Sequence, residues 1–507
     1  MFKKLLKKAY QTVPDVPEKS SKEDIKLKDS NIGNNLEQTL DIFKKIYTYP
    51  HNQDFKVRNL HIGGSNKKAA ILFINTVTDT KIIEENVIKP LLSNNDSDKK
   101  IDDIVSVLSI STECKIKNVL TNLNKGSAIL LVDDDSKAYI LSAANFEGRN
   151  IEKSENETVV KGPKEAFNER ANTNISMVRK KVKNENLVVE SLTITERSKN
   201  DLFILYEKDL ANDKLISNIK KRINALDVDA IQNLGLLEQH IEERKLSIFP
   251  TVLYTERPDR AASFIEDGYI VLLMDNSPAC LVLPATFWSF YHSSEDHYLR
   301  FPYGNFTRIL RMVALFITLF TSAVYVGVVS YHSEMIPPDL LLAIAATREK
   351  VPFPAAIEVI IMELAFELIR EAGLRVPSPI GPTIGIVGAL ILGQAAVQAN
   401  IVSPIVVIVV ALGGLSSFAV GDISMNFSIR LIRFLFLIAA SLFGIYGMAA
   451  LFTAGIFYLV SIKSFGIPYL APLTPKYVSS GDTIFRRVLQ NEMFRPGYVK
   501  PKDIKKK

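Results

Sequence analysis

The 507-residue chain has room for two or three domains, and its formal charge of +6 averages two unlike parts. Residues 1–300 are rich in Lys, Glu, Asp and Asn, whereas residues 309–462 are nearly uncharged apart from one stretch. The two cysteines, Cys114 and Cys280, have no metal-ligand spacing and are expected as reduced, buried thiols.

Residues 1–35 read as a flexible basic and polar tail. The charged opening MFKKLLKKAY lacks the apolar core of a cleaved signal peptide before Pro14. A first soluble α/β subdomain is expected over residues 36–155. Its strand Lys68–Asn75 is followed by helical patterns at Lys81–Leu92 and Glu113–Leu123, then by a strand–turn–strand unit from Gly126 to Ala143. A second, over residues 156–300, repeats that order: a strand at Asp201–Asp209, helices near Asn212–Leu226 and Arg257–Asp267, and a hairpin from Gly268 to Ala285. The two hairpins align without a gap at an offset of 142 residues with six identities in eighteen positions, which suggests duplication.

Tempting chemistry fails on context. Asp133-Asp134-Asp135 lacks the six-position pattern of a calcium loop and reads as a solvated turn. Gly63-Gly64-Ser65 precedes a strand instead of opening a helix, so it is no phosphate cradle. His292 and His297 read as partner contacts or plain surface. No paired-histidine metal motif, nucleophile elbow or Walker-type loop is present, so neither an enzyme nor a cofactor or metal is expected.

From Ile309 the chain changes solvent. Ile309–Tyr331 carries one charge, Arg311, and about 20 apolar residues suffice to cross a bilayer core. An all-α, multi-pass membrane domain of about six helices is expected over residues 301–465, with spans near 309–331, 355–373, 380–400, 402–421, 430–446 and 447–463. The segment Ala355–Gly373 decides the count, because it carries Glu358, Glu363, Glu367, Arg370 and Glu371. On a helix, Glu363, Glu367 and Arg370 fall within about 60° of one another. It either lies flat at the interface or crosses with its carboxylates facing protein or water. Crossing puts Arg370, Arg375, Arg430, Arg433 and Lys463 on the cytosolic side with both termini, as the positive-inside rule prefers. Gly385, Ala389 and Gly393 form a small-residue stripe suited to helix packing. Residues 466–507 read as a basic cytosolic tail. Residues 463–507, with ten Lys/Arg against three Asp/Glu, suit anionic lipid headgroups better than nucleic acid, since no nucleic-acid motif accompanies them.

Three stretches then become informative together: Phe249–Tyr298 (FPTVLYTERPDRAASF…), Met335–Pro404 (MIPPDLLLAIAATREK…SPIGPTIGIVGALILGQAAV…) and Ala419–Phe434 (AVGDISMNFSIRLIRF). In order and at length, they resemble the A subunit of GerA-type spore nutrient germinant receptors. The resemblance covers about Asn35–Tyr477. It implies a spore inner-membrane protein that acts with a transporter-like B subunit and a lipoprotein C subunit. Copies would form a homo-oligomeric ring whose pore passes monovalent cations. On that resemblance Ile360, Glu363, Leu364, Glu367, Arg370 and Glu371 would line or gate the pore, with Leu364 as the apolar constriction. A secondary transporter or a non-conducting scaffold are the rival readings. No repeat relates residues 309–399 to 401–462, as repeated transporter halves would require.

Overall fold

The structure is a computed structural model that describes residues 27–97, 99–146, 154, 157–375, 381–477, 479 and 482–506. Packing begins earlier than the expected tail boundary. Ile32 is buried and its amide donates to Cys114 O at 2.8 Å, so residues 27–35 are docked on the first subdomain. Cys114 itself is exposed and only Cys280 is buried, which corrects the expectation of two buried thiols.

The first subdomain contains α1 (Leu36–Ile46), β1 (Phe55–His61), β2 (Lys68–Ile74), β3 (Ile110–Glu113), α2 (Ile116–Leu123), β4 (Ala128–Val132) and β5 (Ala138–Leu141). Its sheet has the order β1-β2-β4-β5-β3, with every neighbouring pair antiparallel. The central strands read as unbroken apolar runs because both faces are covered. Ala70, Leu72, Ile129 and Leu131 pack against α1 and α2. The alternate residues Ala69, Ile71, Leu130 and Val132 pack against the helical stretch 80–93.

The second subdomain contains α3 (Ala171–Lys181), β6 (Leu187–Ile194), β7 (Asn200–Glu207), α4 (Asp213–Asn224), α5 (Leu234–Ile241), β8 (Leu253–Thr255), α6 (Pro258–Glu266), β9 (Ile270–Met274) and β10 (Cys280–Leu283). Its antiparallel sheet runs β6-β7-β9-β10-β8, the same order and connectivity as the first. Matched details go further than topology. Gly126 and Gly268 both sit at φ +89°, the left-handed backbone required between helix and hairpin. Asp133 accepts from the Leu36 amide at 3.1 Å, and its counterpart Asp275 accepts from the Ala171 amide at 2.8 Å. Each hairpin aspartate thus ties down the first turn of its own subdomain's opening helix, a role beyond the solvated turn expected of Asp133. The subdomains join at a buried pair, Arg179 to Asp54 at 2.5 Å, with both side chains at most 4% exposed. Beside it the Val189 amide donates to Asn52 Oδ1.

Below the second subdomain lie α7 (Phe301–Tyr331), α8 (Pro338–Arg348), α9 (Ala355–Arg375), α10 (Gly381–Gln398), α11 (Pro404–Ser417) and α12 (Ile423–Ser461). Among the described residues, two of these, α7 and α12, are long and apolar enough to cross a membrane. The 39-residue α12 is not straight, since Gly444 breaks it at φ 60°, ψ −145°. The Phe320 ring lies 4.9 Å from Phe436 and 5.7 Å from Phe452. A straight helix would hold those two phenylalanines about 24 Å apart, so the chain reverses at Gly444. Its tip meets the far end of α7, where Tyr331 Oη donates to Ser441 O at 2.7 Å. Both feet of this hairpin stand on the segment 244–249. Ser428 Oγ donates to Ile248 O at 2.6 Å, and Arg244 reaches Ser461 Oγ at 3.0 Å.

The basic tail is folded back on the second subdomain. Lys502 pairs with Asp213 at 2.6 Å, Lys506 with Asp267 at 2.7 Å, and Arg495 donates to Glu266 O at 2.8 Å. Val499 and Tyr498 join the subdomain's core. These cations are therefore engaged within the chain, where a lipid-facing tail had been expected. His292, too, is a tail contact: its Nε2 lies 2.6 Å from Thr483 O, and burial lowers its pKa to about 4.

Two outcomes follow. Arg179→Ala leaves Asp54 buried without its counter-charge and should cost about 3–5 kcal/mol, read as a lowered Tm of the purified protein. Asp422, which caps α12 through the Met425 amide at 2.9 Å, is lifted by burial from 3.8 to about 6. The unfolded chain therefore ionises first, and stability is lost as pH rises through that window. Asp422→Asn keeps the cap and should raise the Tm at pH 7.5, with the gain vanishing below pH ~4.

Candidate functional site

The charged residues of the apolar half converge. α9 contributes Glu363, Glu367 and Arg370, four and three residues apart and therefore on one face. That face is turned into the bundle. Ser322 Oγ, midway along α7, donates to Glu363 Oε1 at 2.5 Å. Arg433 of α12 places one Nη2 2.8 Å from both Glu363 Oε2 and Glu367 Oε1. Arg430, one turn earlier, brackets Glu367 with Nη2 and with Nε, the latter at 3.2 Å. Arg370 turns to α11, donating to Gly414 O at 3.1 Å and Ser417 Oγ at 2.9 Å, and lies over the Phe418 ring at 4.6 Å. Glu363 is fully buried and Arg433 is 1% exposed.

A second carboxylate pins the other end of α9. Glu358, also fully buried, accepts from Arg348 Nε and from the Ser403 amide, both at 3.0 Å. Along α9, then, Glu358 meets the start of α11 and Arg370 meets its end, so the two helices run in the same direction. Phe320 and Tyr331 of α7 meet Phe436 and Ser441 of the first arm of α12, in rising order along both, so α7 and that arm also run together.

These contacts say where the residues expected at a pore sit within one copy of the chain. Within this chain Glu363, Glu367 and Arg370 face neighbouring helices, because a buried carboxylate in an apolar bundle needs a guanidinium or hydroxyl beside it. Ile360 packs beside Val359 and Met362 in the same bundle. The exposed face of α9 is a different stripe: Ile357, Ile361, Leu364 and Leu368, with Glu371 continuing it. Leu364 is half exposed there, on a face separate from Glu363. Of the small-residue stripe, a methyl group added at Gly393 would stand 3.5 Å from Val407 of α11, and one added at Gly388, one residue before Ala389, 3.9 Å from Ile369 of α9. The surroundings of Gly385 and Ala389 lie outside the described residues. Sequence reasoning used Arg430 and Arg433 only as topology markers and missed them as partners. The available signal was their three-residue spacing in an apolar run, which puts both on one helix face, as the four-residue spacing does for Glu363 and Glu367.

A second buried charge group joins the second subdomain and the tail to the helical bundle. Arg308, fully buried, reaches Asp296 at 3.0 Å and also pairs with Asp482 of the tail, and Arg311 meets Asp296 at 3.1 Å. Burial alone would raise the Asp296 carboxyl, but the guanidiniums of Arg311 and Arg308 outweigh it and hold it below the usual range.

With this geometry in view, the comparisons are informative. The sequence profile of the family described as "Bacillus/Clostridium GerA spore germination protein" matches residues 41–498. Spore germination protein KA of Bacillus subtilis (strain 168) is 38% identical over 89% of this chain and 85% of its own length. Spore germination protein B1 of the same organism is 36% identical over 87% of this chain and 92% of its own. GerLA of Bacillus cereus is 33% identical, covering 89% and 93% respectively. Among solved structures, the N-terminal domain of the A subunit of the Bacillus megaterium spore germinant receptor GerK3 aligns with a TM-score of 0.41 and 30% identity. That alignment covers 51% of this chain and 98% of that one.

Arg433→Leu should cost about 3–5 kcal/mol, since it strands the buried Glu363 carboxylate while Glu367 keeps Arg430. Adding Glu363→Leu to that variant should recover part of the lost Tm. A double variant no more stable than Arg433→Leu would mean that the two side chains are not coupled.

Proposed function

The chain belongs to the GerA spore germination protein family, and on that premise we propose that it is a non-enzymatic, membrane-embedded A subunit of a germinant receptor whose bundle forms or gates a path for monovalent cations. The observation that carries the conduction reading is the cluster Glu363–Glu367–Arg370–Arg430–Arg433. Ionisable groups at membrane depth cost about 2.5–3.5 kcal/mol each and are concentrated along ion paths and gates. Here they hold α9 against α12 while the other side of α9 presents Leu364 and Leu368 outward. A ring of copies would bring that apolar stripe to a central axis, where a dewetted constriction blocks ions. The arginine clamp would then hold the closed state, and opening would move α9 relative to α12.

The topology we infer is six crossings, with residues 301, 375, 417, 423 and 461 towards the soluble domain and 331, 355, 404 and 444 away from it. The tail packed on the second subdomain supports an even number of crossings and both termini on one side, which we take as the cytosolic side of the spore inner membrane. A transporter-like B subunit and a lipoprotein C subunit are the proposed partners, with the B subunit sensing the nutrient. Its binding energy would act here only through contacts that differ between closed and open states.

One observation favours a second reading. Both carboxylates of the cluster are matched by arginines, which suits a rigid, non-conducting scaffold equally well. Reconstitution separates the two. Liposomes holding the Leu364→Ala protein should leak potassium several-fold faster than those holding the unmodified protein. Equal, background-level flux from a correctly assembled variant would leave the scaffold, and saturable dependence on an organic solute would indicate a carrier.

A further inference from the structure

The segment 242–249 leaves α5 and passes between the two feet of the α12 hairpin. Both arms fix its depth. Ile248 O accepts from Ser428 Oγ at 2.6 Å, and the Ile248 amide lies 3.4 Å from the Tyr458 hydroxyl. Ser428 stands five residues after the start of α12 at Ile423, and Tyr458 three before its end at Ser461. At 1.5 Å per residue the segment therefore reaches roughly 4–8 Å past the ends of the hairpin, about the thickness of a lipid headgroup layer. Between these anchors the chain turns tightly. The Ser247 amide donates to Arg244 O at 3.0 Å, so Lys245 and Leu246 form the tip. Leu246 is 96% exposed.

An exposed leucine by itself says nothing, but the charges around this one are unbalanced. Glu243 is taken by Arg222 at 2.8 Å, and Glu242 accepts from the amide and hydroxyl of the buried Thr251 at 3.0 and 2.8 Å. Arg244 spends its guanidinium on a neutral partner, Ser461, at 3.0 and 3.1 Å, and lies over the Tyr458 ring. Lys245 and Lys463 are exposed, and among the described residues neither has a carboxylate within ion-pair distance. Asp227 shares a hollow with Lys245. Three cations thus stand at the foot of α12 against that one uncommitted acid.

A fully exposed apolar tip set between cations, at the depth where a span-length helix meets its headgroups, is matched by an anionic lipid surface. Burial of the leucine and attraction of phosphates then act at one place. We propose that the 244–248 turn dips Leu246 into the leaflet on the side of the soluble domain, while Arg244, Lys245 and Lys463 hold the phosphates of anionic lipids. This contact requires α12 to enter the bilayer, as proposed above, but does not require the protein to conduct ions. Because the same turn holds both feet of the hairpin that carries Arg430 and Arg433, the charge of the leaflet bears on the clamp.

The test uses the full-length protein with Cys114→Ser, which removes the exposed thiol and leaves Cys280 buried. Leu246→Cys is compared with Leu108→Cys, 97% exposed on the first subdomain, and with Phe457→Cys, 72% exposed on the second arm of α12. Each thiol carries a fluorophore, and the protein is reconstituted into liposomes of phosphatidylcholine and phosphatidylglycerol that contain nitroxide-labelled lipid. Quenching of Leu246→Cys should exceed that of Leu108→Cys about threefold or more. It should fall by about half or more in pure phosphatidylcholine and in the Lys245→Gln/Lys463→Gln background, since each cation at an anionic surface shifts the equilibrium about fivefold. Quenching of Leu246→Cys no greater than that of Leu108→Cys, with Phe457→Cys quenched, overturns the proposal while leaving α12 in the bilayer. Protection of Leu246→Cys from both nitroxide lipid and aqueous iodide would place a protein partner over the turn, and quenching indifferent to headgroup charge would leave the cations no role; either result also overturns it. An unquenched Phe457→Cys would refute the crossing of α12 itself, and the lipid contact with it.

Discussion

The apolar helical half of this protein depends on keeping the charged face of α9 buried and paired at once. Glu363 and Glu367 can sit inside an apolar bundle only because Arg433 and Arg430 are delivered to the same depth by α12, and because Ser322 supplies a hydroxyl from α7. Remove the arginines and the carboxylates must either take up protons or leave. The clamp therefore fixes the rotation of α9. Its charged face is committed inward, so Ile357, Ile361, Leu364 and Leu368 are left on the outside. Glu358 and Arg370, tied to opposite ends of α11, fix the helix lengthwise.

The arginines also connect this interior to the soluble half. They ride on the first arm of the hairpin that reverses at Gly444, and both feet of that hairpin are held by residues 244–249. Ser428, which touches Ile248, lies two residues before Arg430. A displacement of the second subdomain is thus carried to the clamp through less than one helical turn. The Arg308–Asp296–Asp482 group adds a second seam, joining the start of α7 to the tail that wraps the same subdomain.

Much of this was legible in the sequence, for identifiable reasons. The strands at 68–74, 128–132 and 270–274 were visible because a strand covered on both faces must be continuously apolar. The hairpin match at an offset of 142 residues was visible because Gly126 and Gly268, and Asp133 and Asp275, are each fixed by a local backbone demand. The edge strands β1, β3, β6 and β8 were missed, since a strand with one neighbour carries polar residues that blur its alternation. The direction of the carboxylates could not be read either. Helical periodicity puts Glu363, Glu367 and Arg370 on one face, but only the partners on α7, α11 and α12 say whether that face meets a lumen or another helix. The tail misled for the opposite reason: its lysines are numerous, and only tertiary contacts with Asp213 and Asp267 reveal that Lys502 and Lys506 are spoken for.

Threading of α9 through the bundle is the claim on which the clamp, the exposed leucine stripe and the inferred topology all rest. Its most direct test is compartment-specific thiol labelling in sealed vesicles, with Cys114 and Cys280 replaced by Ser and single cysteines placed at Glu349 and Ala419. Three helices, α9, α10 and α11, separate these positions, so they should label from opposite faces of the membrane. Labelling of both from the same face would mean that α9 lies along the surface, out of reach of Arg430 and Arg433, and would contradict the account.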